Sequence, residues 1–305
     1  MENPILIIGG KGKTGSRVAE RLQALNRPVR FASRSTGFDW TERSTWAPAL
    51  EGASAAYITY YPDLAVKGAP NDIQALATLA VSLGVKRLIL LSGRGEPEAQ
   101  ESERRLIASG ADWTVVRASW FNQNFDEGQL SPMILAGELA LPVSAVREPF
   151  IDAGDIADVV TAALTDPRHI GQIYEVTGPR LLTFAEAVAE IGKASGRDIV
   201  FQTIPKEAFV DGLKQAEVPA DIAELLLELF TVVLDGRNEY LSDGVMQALG
   251  RPRASPIMPA TPQTAAPGHD VRRVSSWSRS PCRHRHRPRP SRRSRSPKAG
   301  PDRVR

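Results

Sequence analysis

Three glycines at a spacing of three, Gly9, Gly12 and Gly15, follow directly on the apolar run Ile5-Leu6-Ile7-Ile8 and open a helical pattern. A strand, a glycine loop and a helix in that order suit the pyrophosphate of a dinucleotide. Gly9 permits the tight turn, Gly12 lets the pyrophosphate approach the backbone, and Gly15 allows the helix to pack closely on the strand. The helix N-terminus, with Lys13 and Thr14 in its first turn, then presents free N–H groups and a positive dipole end to the phosphates. The same glycine string also occurs as an ordinary turn, and its place at residue 9 of a βαβ pattern is what favours the nucleotide. It is not a Walker A loop, which needs four residues between its glycines followed by Gly-Lys-Ser/Thr.

At the end of the second strand an acidic residue would hydrogen-bond the adenosine ribose and select NAD(H). Here the chain reads Phe31-Ala32-Ser33-Arg34. Arg34 in that place, with Lys13 close to the loop, predicts a preference for the 2′-phosphate of NADP(H) over NAD(H); a solvated surface cation is the competing use of Arg34. Asp39 suits the adenine amino group and Trp40 the ring face, though Trp40 equally suits core packing. Thr59 and Ser92 fall at the carboxyl ends of the third and fourth strands, where open α/β sheets bind ligands.

The elements that must hold these residues recur as strand, loop, helix. Apolar runs at 5–8, 29–32, 54–60, 86–91 and 112–117 are short and rich in Ile, Val or Leu, as expected of parallel strands buried on both faces. Helical patterns lie between them, Val18, Leu22 and Leu25 in the first and Ile73, Leu76, Ala80 and Leu83 in the third; the second connection holds one short helix around Trp46 to Leu50. This alternation predicts an α/β fold with a Rossmann-like doubly wound parallel sheet. After residue 125 the rhythm changes. A strand at Gln172 to Val176 leads into the capping-box pattern Thr183-Phe184-Ala185-Glu186, a further strand at 198–204 and helices at 206–216 and 220–234. We expect one NAD(P)-binding unit over 1–250, a Rossmann core at about 1–125 with a smaller, mostly helical cap at about 126–250, and a disordered basic tail at 251–305.

Charge separates the same pieces. Residues 1–250 hold 23 Lys and Arg against 33 Asp and Glu, net −10, whereas residues 251–305 hold 15 against 2, net +13. With 42% hydrophobic residues overall, the body can bury a sizeable core. Cys282 is the only cysteine and His169 the only histidine before the tail. Disulfides within the chain, a Cys-clustered zinc site and a cysteine nucleophile in the body are thereby excluded, and Ser-His-Asp hydrolysis and a His-rich metal site are disfavoured. No metal site is expected. The N-terminus carries no readable secretion signal, and the greasiest segment, Ile222 to Leu234, contains Glu224 and Glu228 and is too short to span a bilayer, so a cytoplasmic location is expected.

Taken together, these residues resemble the NmrA-like branch of the atypical short-chain dehydrogenase/reductases, and within it the type 2 NAD(P)H:quinone oxidoreductases. The resemblance rests on Gly9, Gly12, Gly15 and Arg34, on Glu103-x-x-Leu106-x-x-Ser109-Gly110 leading into Thr114-Val115-Val116-Arg117, on Trp120-Phe121-x-x-Asn124, and on Pro149-Phe150-Ile151-Asp152-x-x-Asp155-Ile156-Ala157. It covers roughly residues 4–253. Reductases of the wider superfamily relay a proton through a Tyr-x-x-x-Lys pair, but this chain has no tyrosine from 62 to 173 and no lysine from 87 to 192. The resemblance therefore implies either an NADPH-dependent reductase of quinones or similar small electrophiles, or a non-catalytic NADP sensor acting through a protein partner. Trp120, Phe121 and Asn124 are the candidate substrate pocket, with core packing as the competing use of the aromatic pair. Arg117 is expected to pair with Glu103 or Asp155, and Asp152 and Asp155 to cap the helix through Val159 and Val160. No residue is assigned as catalytic, and no carboxylate pair stands out as an acid/base couple.

The tail departs from the family pattern. An Arg/Ser/Pro arm of net +13 would bind nucleic acid only nonspecifically, through salt-sensitive phosphate contacts. Alternatively, codons can be chosen for Ser255 to Ala260 that, moved back one base, read Phe-Ala-Asp-Tyr-Ala-Arg, which resembles the usual end of related chains and points to a frameshift product. A protein truncated after Arg253 should keep its NADPH affinity in a fluorescence titration and gain solubility; loss of binding would make the tail part of the site.

Overall fold

The structure, a computed structural model, describes residues 2–254. The tail expected to be disordered lies outside the described residues, apart from its first four positions. Five strands and four helices alternate through the first part of the chain: β1 Ile5–Ile8, α1 Lys13–Ala24, β2 Val29–Ala32, α2 Trp46–Leu50, β3 Ala55–Ile58, α3 Ala69–Ser82, β4 Arg87–Gly93, α4 Pro97–Ile107 and β5 Asp112–Ala118. The chain continues with α5 Ser131–Ala136, β6 Glu138–Leu141, β7 Arg147–Glu148, α6 Ala153–Thr165, β8 Gln172–Val176, β9 Leu182–Thr183, α7 Phe184–Ser195, β10 Val200–Thr203, α8 Lys206–Gln215, α9 Ala220–Glu228 and α10 Gly244–Leu249.

The main sheet runs β2-β1-β3-β4-β5-β8 and every pairing in it is parallel. Chain order reverses at β1, whose neighbours are β2 on one side and β3 on the other. That reversal opens a crevice at the carboxyl ends of β1 and β3, the place where such sheets accept ligands.

Period-two alternation sorts the apolar side chains into two layers. Leu6, Ile8, Ile58, Leu88, Leu90 and Val115 pack with α2, α3 and α4 on one face, while Ile5, Ile7, Tyr57, Ile89 and Val116 meet α1, α6 and α10 on the other. Strands covered on both sides must be apolar throughout, which is why β1 and β3 show no polar position.

Beyond residue 125 the chain serves two places. β8, α6 and α10 complete the sheet and its second helical layer, so the sheet extends past the change of rhythm in the sequence. Gly244 fits this packing because a Cβ there would stand 2.1 Å from the Glu175 carbonyl oxygen. The cap is built from α5, α7, α8 and α9 with two small ladders, β6–β10 parallel and β7–β9 antiparallel. Its core gathers Phe125, Phe150, Phe184, Phe209 and Phe230. The capping box forms as expected, with Thr183 and Glu186 exchanging bonds at the start of α7. The helical stretch after 220 changes at its end to a π-helical turn, Leu229–Val233. No helix among the described residues is long and apolar enough to cross a membrane.

Two glycines of the loop are needed for different reasons. A Cβ on Gly15 would lie 2.4 Å from the Gly9 carbonyl oxygen and 2.9 Å from Gly10 Cα, backbone atoms that cannot swing aside, whereas a Cβ on Gly12 would meet only the Gly9 oxygen, at 3.2 Å. Gly15→Ala should therefore cost roughly 1–3 kcal/mol and lower Tm by several degrees in a thermal melt, with Gly12→Ala costing clearly less.

Candidate functional site

The loop after β1 begins at Gly9, whose φ of +78° suits glycine, and the Gly12 amide closes the turn on the Gly9 carbonyl at 2.8 Å. Gly12 then caps α1 with no side chain of its own to occupy the first-turn N–H groups. Gly9, Gly12, Lys13, Thr14, Thr59, Ser92, Trp120, Phe121 and Asn124, each singled out from sequence, line one cavity of about 350 Å³. Gly15, Arg34 and Asp39 do not line it. Gly15 sits behind the loop at the helix–strand contact, and Asp39 uses its Oδ1 on the amide and hydroxyl of Thr41.

Two of the lining residues, Thr59 and Thr14, are held by contacts with the strands. Thr59, just past β3, donates to the Ile8 carbonyl at 2.9 Å, and the missing Cβ of Gly9 leaves room for its hydroxyl. Thr14 is buried and accepts from the Tyr57 hydroxyl at 2.9 Å. Lys13 lines the cavity, but its Nζ lies against Gly128, where a Cβ would stand 2.7 Å away; burial lowers its pKa, against the opposing pull of Glu127 and Asp126. The lysine near Arg34 in the chain's fold is Lys11, whose Nζ donates to Ser35 Oγ at 3.3 Å, with Ser33 Oγ a further 3.0 Å away. Arg34 itself is exposed, with its guanidinium 5.1 Å from the Tyr61 ring centroid. Lys11, Ser33 and Ser35 were missed from sequence because only the turn of the loop separates the outlook of residue 11 from that of residue 13.

Trp40 faces the core. It is 8% exposed, donates its indole N–H to the Thr59 carbonyl, and packs against Phe38, Trp46 and Tyr60. Its ring faces are therefore spent on packing, which removes it as an adenine platform. Trp120 packs edge-on against Phe184 and tilted against Phe230, and it also lines the cavity.

Behind the cavity runs a chain of charges. Ser92 donates to Glu103 at 2.6 Å, and Arg117 grips both oxygens of Glu103 at 2.9 and 2.5 Å. Arg117 then reaches Glu175 at 3.3 Å, and Glu175 accepts from Arg94 at 2.9 Å. Arg94 ends the chain on the carbonyls of Asn238 and Tyr240 and against the Tyr240 ring. Arg117 thus pairs with Glu103, as expected, while Asp155 takes Arg251 and the Ala254 amide instead. Asp152 caps α6 through the Gly154 amide.

Residues 100–250 match the model of the NmrA-like family. Over 263 residues, 82% of this chain and 91% of the relative, the sequence is 32% identical to the uncharacterized oxidoreductase YesF of Bacillus subtilis (strain 168). The chain belongs to the NmrA-like family. Another relative of this NmrA-like chain is the NAD(P)H azoreductase of Xenophilus azovorans, 29% identical, covering 81% of this chain and 93% of that one. The fold matches the NADPH-dependent quinone oxidoreductase QOR2 of Escherichia coli, solved with NADPH, at a TM-score of 0.66 and 20% identity over 90% of this chain and 98% of that one.

One buried acid of this NmrA-like protein lacks compensation. Glu148 in β7 is 1% exposed and neither oxygen has a hydrogen-bond partner in good geometry. Burial pushes its carboxyl up to about 8, although Arg94 and Asn238 pull the other way. The folded protein holds this proton more tightly than the unfolded chain, whose value lies near 4.5. Its contribution is present below 4.5 and is lost as pH rises through 8, on the order of 4 kcal/mol in full. Glu148→Gln should therefore raise Tm at pH 9 and change it little at pH 5.

Proposed function

We propose that this protein binds NADPH in preference to NADH and transfers hydride to a quinone or a similar small electrophile. The observation that carries the reading is the glycine loop opening onto a cavity at the point of strand reversal, with Gly12 unobstructed before the helix N-terminus. There the first-turn N–H groups and the dipole of α1 favour a pyrophosphate. The cofactor would supply the hydride. Thr59, Ser92 and Asn124 would hold its carbonyl, hydroxyl and amide groups, and Lys13 a phosphate oxygen or the reacting end.

Preference for NADPH follows from the group at the end of β2. Arg34, Lys11 and the hydroxyls of Ser33 and Ser35 offer two cations and two donors to a 2′-phosphate, and Asp39, the carboxylate that feels Arg34, has its Oδ1 taken by Thr41. The acceptor would meet the part of the cavity lined by aromatic and aliphatic side chains. Trp120 and Phe121 with Leu64 and Leu229 form an apolar slot of the kind that takes a planar ring. The names of the azoreductase and of the structurally similar quinone oxidoreductase support this choice of chemistry.

Titration with both cofactors and turnover across a quinone panel test the reading. Gly12→Val should abolish cofactor binding with circular dichroism unchanged, because its side chain would occupy the pyrophosphate's place. Arg34→Ala should weaken NADPH by about 10- to 100-fold and leave NADH as before. Equal affinities for the two cofactors overturn the preference, and tight NADPH binding with no oxidation by any quinone favours the sensor that acts through a protein partner.

A further inference from the structure

Reduction by hydride leaves an anion that must gain a proton, and the tyrosines near the cavity are poorly placed to give one. Tyr57 donates to Thr14 from within the core, Tyr61 is exposed, and Tyr60 donates to Asp72 with its hydroxyl pushed well above its ordinary value by burial and by that carboxylate. The far wall of the same cavity holds two carboxyl groups instead, Asp63 after β3 and Glu96 at the entry to α4. We propose that Glu96, paired with Asp63, is the acid that protonates the acceptor after hydride transfer. The inference rests on the oxidoreductase reading above and adds to it the source of the proton.

The two acids are held differently. Burial raises the Asp63 carboxyl, and hydrogen bonds from the Ala65 amide at 2.9 Å and the Leu64 amide oppose that shift by stabilising its charged form. The Glu96 carboxyl accepts no hydrogen bond from any described residue, and the side chain folds back over the end of β4. A Cβ on Gly93 would stand 2.1 Å from Glu96 Oε1 and 2.2 Å from Oε2, so the glycine keeps open the space that the carboxyl fills. Around Glu96 the field is negative. Asp63, Glu103 of α4 and Glu228 of α9 act on it, and Glu148 of β7 joins them only once it ionises near 8, while Arg94 is engaged by Glu175 and Arg237 by Asp235 and the Gly95 carbonyl. Burial first, and these carboxylates second, hold the Glu96 proton well above the ordinary carboxylate range. With Asp63 favoured as the anion by its two amides, the proton shared by the pair resides on Glu96.

The step balances. Hydride, carrying two electrons and one proton, passes from the reduced nicotinamide dinucleotide to the acceptor, whose oxygen becomes an oxyanion. The Glu96 O–H bond breaks, its proton joins that oxygen, and Glu96 is left as a carboxylate beside Asp63. Two adjacent anions in a confined cavity are unstable, so the pair recovers one proton from water as the product leaves.

Infrared spectroscopy and kinetics test the proposal separately. At pH 7 the wild type should show a carboxylic-acid C=O band that Glu96→Gln removes and Glu148→Gln, which removes a different acid, does not. Glu96→Gln should bind NADPH within twofold of the wild type yet lose about 10²-fold in kcat with a quinone. Asp63→Asn should move the alkaline limb of the kcat profile to lower pH, since Glu96 would lose its nearest negative neighbour. A spectrum unchanged by Glu96→Gln, or full turnover in that variant, overturns the proposal. A wild type that neither binds nor oxidises NADPH defeats the oxidoreductase reading instead, and the infrared comparison still reports whether Glu96 holds a proton.

Discussion

Glu103 is only 2% exposed, and its charge can be buried beneath the carboxyl edge of the sheet because Arg117 binds it through two nitrogens. A lone carboxylate in that position would cost several kcal/mol, and a lone arginine as much. The pairing continues through Glu175 to Arg94, so four charged side chains from α4, β5, β8 and the loop after β4 are satisfied only as a set. Removing one member strands its neighbour. The set also reaches outward, since Ser92 is oriented by Glu103 and residues 238–240 are anchored by Arg94. The cavity's floor and part of its rim therefore share one electrostatic support.

Charge is distributed unevenly along the crevice. Cations and free N–H groups gather at the loop after β1 and the end of β2, and carboxyls gather at Asp63 and Glu96 on the far side. An elongated ligand with phosphates at one end and an uncharged ring at the other fits this gradient in one orientation only. The π-helical turn at Leu229 contributes here as well, because it sets Leu229 against the cavity and Phe230 against Trp120 in consecutive positions. Local departures of this kind are frequent at functional sites.

The main sheet was legible because buried parallel strands are short apolar runs, and Ile5–Ile8, Val29–Ala32 and Gln172–Val176 form where their composition indicates. The short helix at Trp46–Leu50 and the cap of α7 were legible for equally local reasons. What escaped depends on tertiary placement. Asp63 and Glu96 look like ordinary loop carboxylates until β3 and β4 are laid side by side, and Glu148 gives no hint in sequence that it is buried. The part played by Trp40 turned on whether its loop folds inward, which the three-ring cluster with Phe38 and Trp46 decides. Lys11 and Lys13 differ only by which side of the helix start they occupy.

The arrangement of β8, α6 and α10 bears on how the chain comes to be folded. The glycine loop precedes in the chain, and so in synthesis, residues 153–165 and 244–249, which close the face of the sheet behind α1. Arg21 of α1 meets Asp158 of α6, and Arg251 joins the same carboxylate from the end of the described chain. Contacts of such long sequence separation raise the contact order and slow folding, because loop closure precedes any reward from packing. A nascent chain that has emerged only as far as β5 has one side of its sheet covered by α1 alone. Its glycine loop is then complete in sequence and still without the layer that holds α1 in register, so α1 gains its full support only when that second helical layer arrives.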